Sequence, residues 1–165
     1  MGSSSTGRPI VIAGYDPAWV SRFEGERDLI YATCRRDAFV RIEHVGSTSV
    51  PGLAAKPIID MMPGLRSLDD APPLIPLFES LGYQYVPEFE KPIPEWNDPG
   101  MPFRRYFRKD VDGVRAFHVR MVEAGSEFWR NQLLFRNYLR TEPAVAGEYA
   151  ALKRSIAAEF NASLT

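Results

Sequence analysis

The residues with the clearest chemical purpose are Gly46, Ser47, Thr48 and Ser49, a glycine followed by three hydroxyl side chains. Glycine lets backbone come close to an anion, and free N–H groups at a turn or helix start, with neighbouring hydroxyls, can donate to phosphate oxygens. Asp60 sits inside the apolar run Pro57–Met62 (PIIDMM). A carboxylate in such a setting needs a cation, a hydrogen-bond donor or a metal. An oxygen ligand beside a phosphate cradle is the arrangement that holds Mg²⁺ on a nucleoside triphosphate, which makes Asp60 the candidate catalytic and metal-ligating residue. Glu43 and His118 are the groups available to complete a metal site.

Cations for a phosphate come from a basic stretch. Between Met101 and Arg120 there are six positive side chains, Arg104, Arg105, Arg108, Lys109, Arg115 and Arg120, against Asp110 and Asp112. Guanidinium groups bind phosphates bidentately, so Arg105 with Lys109 is expected to face the Gly-Ser turn, with Lys56 and Arg136 as further candidates. His44 shares strand parity with Val40 and Ile42 and reads as a core histidine. His118 alternates with Phe117 and Val119, which leaves ligand contact and plain exposure both open.

These residues must be positioned by a mixed set of elements. Asp16 and Pro17 open a helix running to about Arg36, with Trp19, Phe23, Ile30 and Cys34 at roughly helical spacing. Ala38–Val45 reads as a strand; Gly46–Lys56 reads as a turn with a short helical piece, and Pro57–Met62 as a second strand. Pro72 and Pro73 start a helix with Leu74, Leu77, Phe78 and Leu81 on its apolar face, closed by Gly82. Tyr83–Val86 is a short strand, and Pro87–Pro102, rich in proline and acid, a surface loop able to serve as a lid. Phe103–Lys109 and Val114–Val122 flank an Asp-Gly turn and predict a β-hairpin. Ser126 caps a helix to about Arg140. Pro143 opens another, with Val145, Tyr149, Leu152 and Ile156 as its stripe. The fold class is α/β in the broad sense, an α+β mixed sheet flanked by helices and ending in a helical pair.

The run HVGSTSVPGLAAKPIIDMM, with YDPAW at Tyr15–Trp19, RRYFRK at Arg104–Lys109 and LLFRNYLR at Leu133–Arg140, resembles the GrpB family over about residues 15–160. The resemblance implies the polymerase-β-like nucleotidyltransferase fold and nucleotidyl transfer with Mg²⁺ to an unidentified acceptor. It also implies a link to coenzyme A metabolism, because this domain is joined to dephospho-coenzyme A kinase in some bacterial proteins. Gly46 and Ser47 match the superfamily's Gly-Ser turn and Asp60 the first acid of its strand motif. Met62 stands where the second acid is expected, and a two-metal reaction needs carboxylates for two cations. The alternative reading is therefore a non-catalytic module that binds a nucleotide or other phosphorylated small molecule.

Bulk properties narrow the partners. The 165 residues carry 20 Lys and Arg against 21 Asp and Glu, a net charge of −1, which removes the broad positive field of a bulk nucleic-acid binder. Hydrophobic residues at 45% suffice for one core in a single domain over residues 15–165. Residues 1–14 read as a flexible tail. One cysteine, Cys34, excludes an internal disulfide and fits a reducing, cytoplasmic compartment. No apolar run is long enough for a membrane span.

Overall fold

The computed structural model describes residues 7–164. Five strands form one sheet: β1 (Arg41–Val45), β2 (Ile59–Leu65), β3 (Gln84–Tyr85), β4 (Arg104–Val111) and β5 (Val114–Glu123). The order is β1-β2-β5-β4-β3, with β2 and β5 parallel and the other neighbours antiparallel. Four helices accompany it: α1 (Ala18–Cys34), α2 (Ile75–Ser80), α3 (Glu127–Thr141) and α4 (Pro143–Ala162). The fold is α+β, and the Asp112-Gly113 hairpin turn lies where the sequence puts it.

Alternation along the strands sends successive side chains to opposite faces. Ile59, Met61, Phe117, Val119 and Phe107 pack with Trp19, Phe23 and Ile30 of α1 and Phe78 of α2 in the main core. The register pairs Asp60 with His118 and Tyr106 with Arg120, and alternation puts these side chains on the other face with Met62 and Val122. Part of that second face is closed by α3: Trp129 packs on Val45, Met62 and Val122. Gly64 permits this approach, since a Cβ there would lie 2.6 Å from the Trp129 ring. The remainder stays open and forms the floor of a pocket.

Several boundaries differ from the sequence reading for local reasons. α1 ends at Cys34 and β1 starts at Arg41, where the sequence predicts a helix to about Arg36 and a strand from Ala38, because Arg36–Ala38 forms a 3₁₀ turn; helix α2 is shortened because Pro72–Leu74 forms another. β2 runs past Met62 to Leu65, through Pro63 and Gly64. In α4 the buried face is Ala146, Ala150 and Ala157, whereas Leu152 and Ile156 are exposed. Alanines let the helix lie close to its neighbours, and of the expected stripe Val145 and Tyr149 stay half-buried against the cluster of Val50, Leu53 and Leu139.

Two further expectations fall on the ends and the edge. Of residues 1–14, expected as a tail, residues 1–6 lie outside the described residues. In the rest, Ala13 and Ala55 exchange two backbone hydrogen bonds of 2.9 and 3.0 Å. Ile10 N–H donates to Asn161 Oδ1 at 2.7 Å, while Asn161 Nδ2 donates to Ile10 O at 2.8 Å. The loop Pro87–Pro102 contains two 3₁₀ turns. Buried Glu90 pins it to the sheet by accepting from Tyr85 Oη and Tyr106 N–H. Among the described residues none of this loop lines the pocket.

Candidate functional site

β1 ends opposite Asp60, because Val45 is its register partner, and the chain then turns sharply at Gly46 with φ +73°. Any other residue would place a Cβ 2.5 Å from Asp60 Oδ2, so glycine is required both for the left-handed backbone and for contact with the carboxylate. The turn continues as one 3₁₀ turn, Ser47–Ser49. Its three hydroxyls have different fates. Thr48 Oγ1 lies 2.9 Å from His44 Nε2, and Ser49 Oγ donates back to Gly46 O. Thr48 and Ser49 are both buried. Ser47 Oγ accepts from Lys153 Nζ of α4 at 2.6 Å. Of the expected phosphate-binding hydroxyls, Ser47 is the one paired with a cation.

Asp60 is held by its β5 neighbours. Arg120 Nη1 donates to Asp60 Oδ1 at 3.0 Å, and His118 Nδ1 lies 3.7 Å from the same oxygen. Burial alone would raise the Asp60 pKa; the His118 imidazole and the Arg120 charge outweigh it and keep the carboxyl below its ordinary value. Asp60 is therefore a carboxylate at neutral pH. The pKa of Lys153 is lowered by burial, which exceeds the opposing attraction of Asp60, and Lys56 lowers it further.

Ser47, Lys56, Asp60, His118, Arg120 and Lys153 line one cavity of about 410 Å³. Two lysines and an arginine surround a single acid. Neither Lys56 nor Lys153 forms an ion pair among the described residues. The rest of the lining is Thr48 and an apolar set: Ile10 and Ile12 before α1, Ala55 and Ile58 before β2, and Ile156 and Ala157 of α4.

Other expected ligands lie elsewhere. Arg105 and Lys109 alternate with Tyr106 and Arg108 on β4, so they fall on the α1 side of the sheet. Lys109 Nζ is 2.7 Å from Glu26 Oε1 of α1, and Arg105 Nη1 donates to the carbonyls of Pro102 and Arg104. Neither Arg105 nor Lys109 faces the Gly-Ser turn as expected; the basic groups that line the cavity are Lys56, Arg120 and Lys153. Lys153 leaves a trace in the sequence: with Ala146, Ala150 and Ala157 it occupies one helical face, a lysine among small buried residues. Arg136 is also structural, donating to Glu43 Oε2 at 2.6 Å and to His44 O at 3.0 Å.

The expected Mg²⁺ set is not assembled. Glu43 is held between Arg41 and Arg136. Met62, at the position of the missing second acid, is fully buried under Trp129. Among the described residues no three His, Cys, Asp or Glu groups come together. Mg²⁺ favours near-octahedral oxygen coordination; here a divalent cation would meet one carboxylate already bonded to Arg120, with two lysines nearby. The donor set suits an anion and does not fit Mg²⁺.

Fold and pocket together define a small α+β protein with a cationic turn-and-helix pocket. The GrpB protein family model matches residues 9–165, and the chain belongs to the GrpB family. It is 36% identical over 157 residues to UPF0157 protein YqkA of Bacillus subtilis (strain 168), covering 95% of this chain and 42% of YqkA. The chain thus spans less than half the length of that relative. The crystal structure of conserved protein GrpB from Enterococcus faecalis superposes with a TM-score of 0.77 at 36% identity, covering 90% of this chain and 84% of that one. A dephospho-CoA kinase of Mycobacterium leprae (strain TN) is 29% identical over 168 residues, covering 89% of this chain and 40% of the kinase. Among the described residues no helix is long and apolar enough to cross a membrane.

Proposed function

We propose that this protein binds a phosphorylated small molecule, nucleotides and coenzyme A precursors being the first to try, and does so without a divalent metal. One observation carries the reading: Lys153 and Lys56 line the cavity beside Ser47 and Arg120 without a carboxylate partner of their own. A desolvated ammonium gains more from an incoming anion than a hydrated surface lysine does. Asp60 orients Arg120 and repels a second anion from the floor, which directs the phosphate toward Ser47 and Lys153. The dephospho-CoA kinase similarity supports a phosphate-bearing metabolite as ligand, and the one cysteine, buried Cys34, supports a cytoplasmic setting. Binding without turnover is favoured over nucleotidyl transfer, because Met62 supplies no second carboxylate for a metal-dependent reaction.

Calorimetry with inorganic phosphate, pyrophosphate and dephospho-coenzyme A, in EDTA and in Mg²⁺, tests this. The expected result is binding in EDTA, unchanged by Mg²⁺. Lys153→Met should weaken it about tenfold or more, the scale of one charge-assisted hydrogen bond. Binding that appears only with Mg²⁺, or is indifferent to Lys153→Met, would overturn the reading.

A further inference from the structure

The cavity lining is of two chemical kinds, and the aliphatic kind constrains the ligand further. Ile156 lies one turn beyond Lys153 on the same face of α4, and with Ile10, Ile12 and Ile58 it gives the cavity an aliphatic lining beside its cationic groups. The planar groups in the lining, His118 and Arg120, are already engaged by Asp60 and by the Tyr106 ring, at 5.8 and 5.9 Å, and the lining residues among those described include no Phe, Tyr or Trp ring and no side-chain amide. A nucleobase is usually held by stacking on an aromatic or guanidinium plane and by hydrogen bonds to its edge. Isoleucine offers neither, and burying a base's polar edge against it leaves donors and acceptors unpaired. An alkyl chain has no such groups and gains from each methylene removed from water.

The wall is also fixed in place. Ile10 is joined through both backbone groups to the Asn161 side chain, and Ala13 to Ala55. Ile10 is thereby held against α4, with Ile12 next to the Ala13–Ala55 bridge. The volume of about 410 Å³ lies at the small end of organic-ligand sites, which run about 300–1,000 Å³. A phosphate with a short chain fits that size.

We infer that the pocket takes a phosphate monoester of an aliphatic alcohol, phosphate at Ser47 and Lys153 and chain along the isoleucine wall, in preference to a nucleotide. The inference rests on the phosphate-binding reading above and narrows its ligand class.

The test measures dissociation constants of the full chain for inorganic phosphate, ethyl, butyl and hexyl phosphate and AMP, with displacement of hexyl phosphate by inorganic phosphate as a site control. A fully buried methylene is worth about fourfold in affinity. Partial burial along an open wall should still give about tenfold or more between ethyl and hexyl phosphate, with hexyl phosphate tighter than AMP. Ile12→Ser and Ile156→Ser should each reduce that chain-length gain; Ile156 is 54% exposed, so its replacement spares the core. A flat series, tighter AMP, or hexyl phosphate that inorganic phosphate does not displace would overturn the inference while phosphate binding itself stands. Failure of inorganic phosphate and every ester to bind would overturn both.

Discussion

At the scale of residues, the three turn hydroxyls divide: Ser49 turns back to Gly46 O, while Ser47 and Thr48 both line the pocket. Thr48 is committed to His44, whose ring stacks on Phe23 at 4.7 Å. Burial, with added repulsion from Arg140, lowers the His44 pKa from 6.5 to about 4, against the opposing pull of Asp60. The folded protein therefore keeps His44 neutral where the unfolded chain takes up a proton. Stability should fall as pH drops from about 6.5 toward 4, by up to about 3 kcal/mol. Asp60 acts below this window, because its depressed pKa protects stability until pH falls under the ordinary carboxylate range. Urea denaturation at stepped pH checks it: His44→Gln should flatten the slope between pH 6.5 and 4, and an unchanged slope would assign the loss to another group. Gly46, Ser47 and Asp60 were legible in sequence because their chemistry is local, a turn glycine and an acid inside an apolar run. The diversion of Thr48 and Ser49 was not, since it depends on partners at His44 and on the path of the turn.

Among elements, the sheet decides which basic residues see the pocket. A β-hairpin read alone gives two alternating sets of side chains without saying which face is covered. Pairing of β5 with β2 settles it by setting His118 beside Asp60 and leaving Lys109 beneath α1. Lys109 and Glu26, with side chains 15% and 10% exposed, form a buried ion pair, and Tyr83 Oη also donates to Glu26 at 2.8 Å. Breaking such a pair from one side leaves an uncompensated charge and costs about 3–5 kcal/mol. Lys109→Met should lower stability on that scale in thermal or urea unfolding while leaving phosphate affinity within about twofold. A large loss of affinity in the folded variant would return Lys109 to the site. The same reasoning applies to Lys153: the bulky Val145, Tyr149, Leu152 and Ile156 stripe gives a stronger apolar period in sequence than the alanine face that carries it. The strand-turn-strand core around Asp60, the hairpin and both terminal helices were readable from periodicity and caps, whereas the crossover linking β2 to β5 was not, being set by contacts remote in sequence.

For the whole molecule, the pocket gathers groups from Ile10 to Ala157, so it exists only when the sheet, the leading segment and α4 are assembled together. A ligand that requires all of them stabilises the native state by RT ln(1 + [L]/Kd), about 2.7 kcal/mol at a hundredfold excess over Kd. For a domain of this size that corresponds to a rise in Tm of roughly 5–10 °C. Thermal melts in graded phosphate should show it in the wild type and much less in Lys153→Met; equal shifts in both would place the anion elsewhere. The Asn161 amide, which grips both backbone groups of Ile10, then works as a two-pronged buckle between α4 and the segment that leads into α1. On the phosphate-binding proposal, fastening that buckle and retaining cargo become a single cooperative event, so loosening either shortens the lifetime of the other.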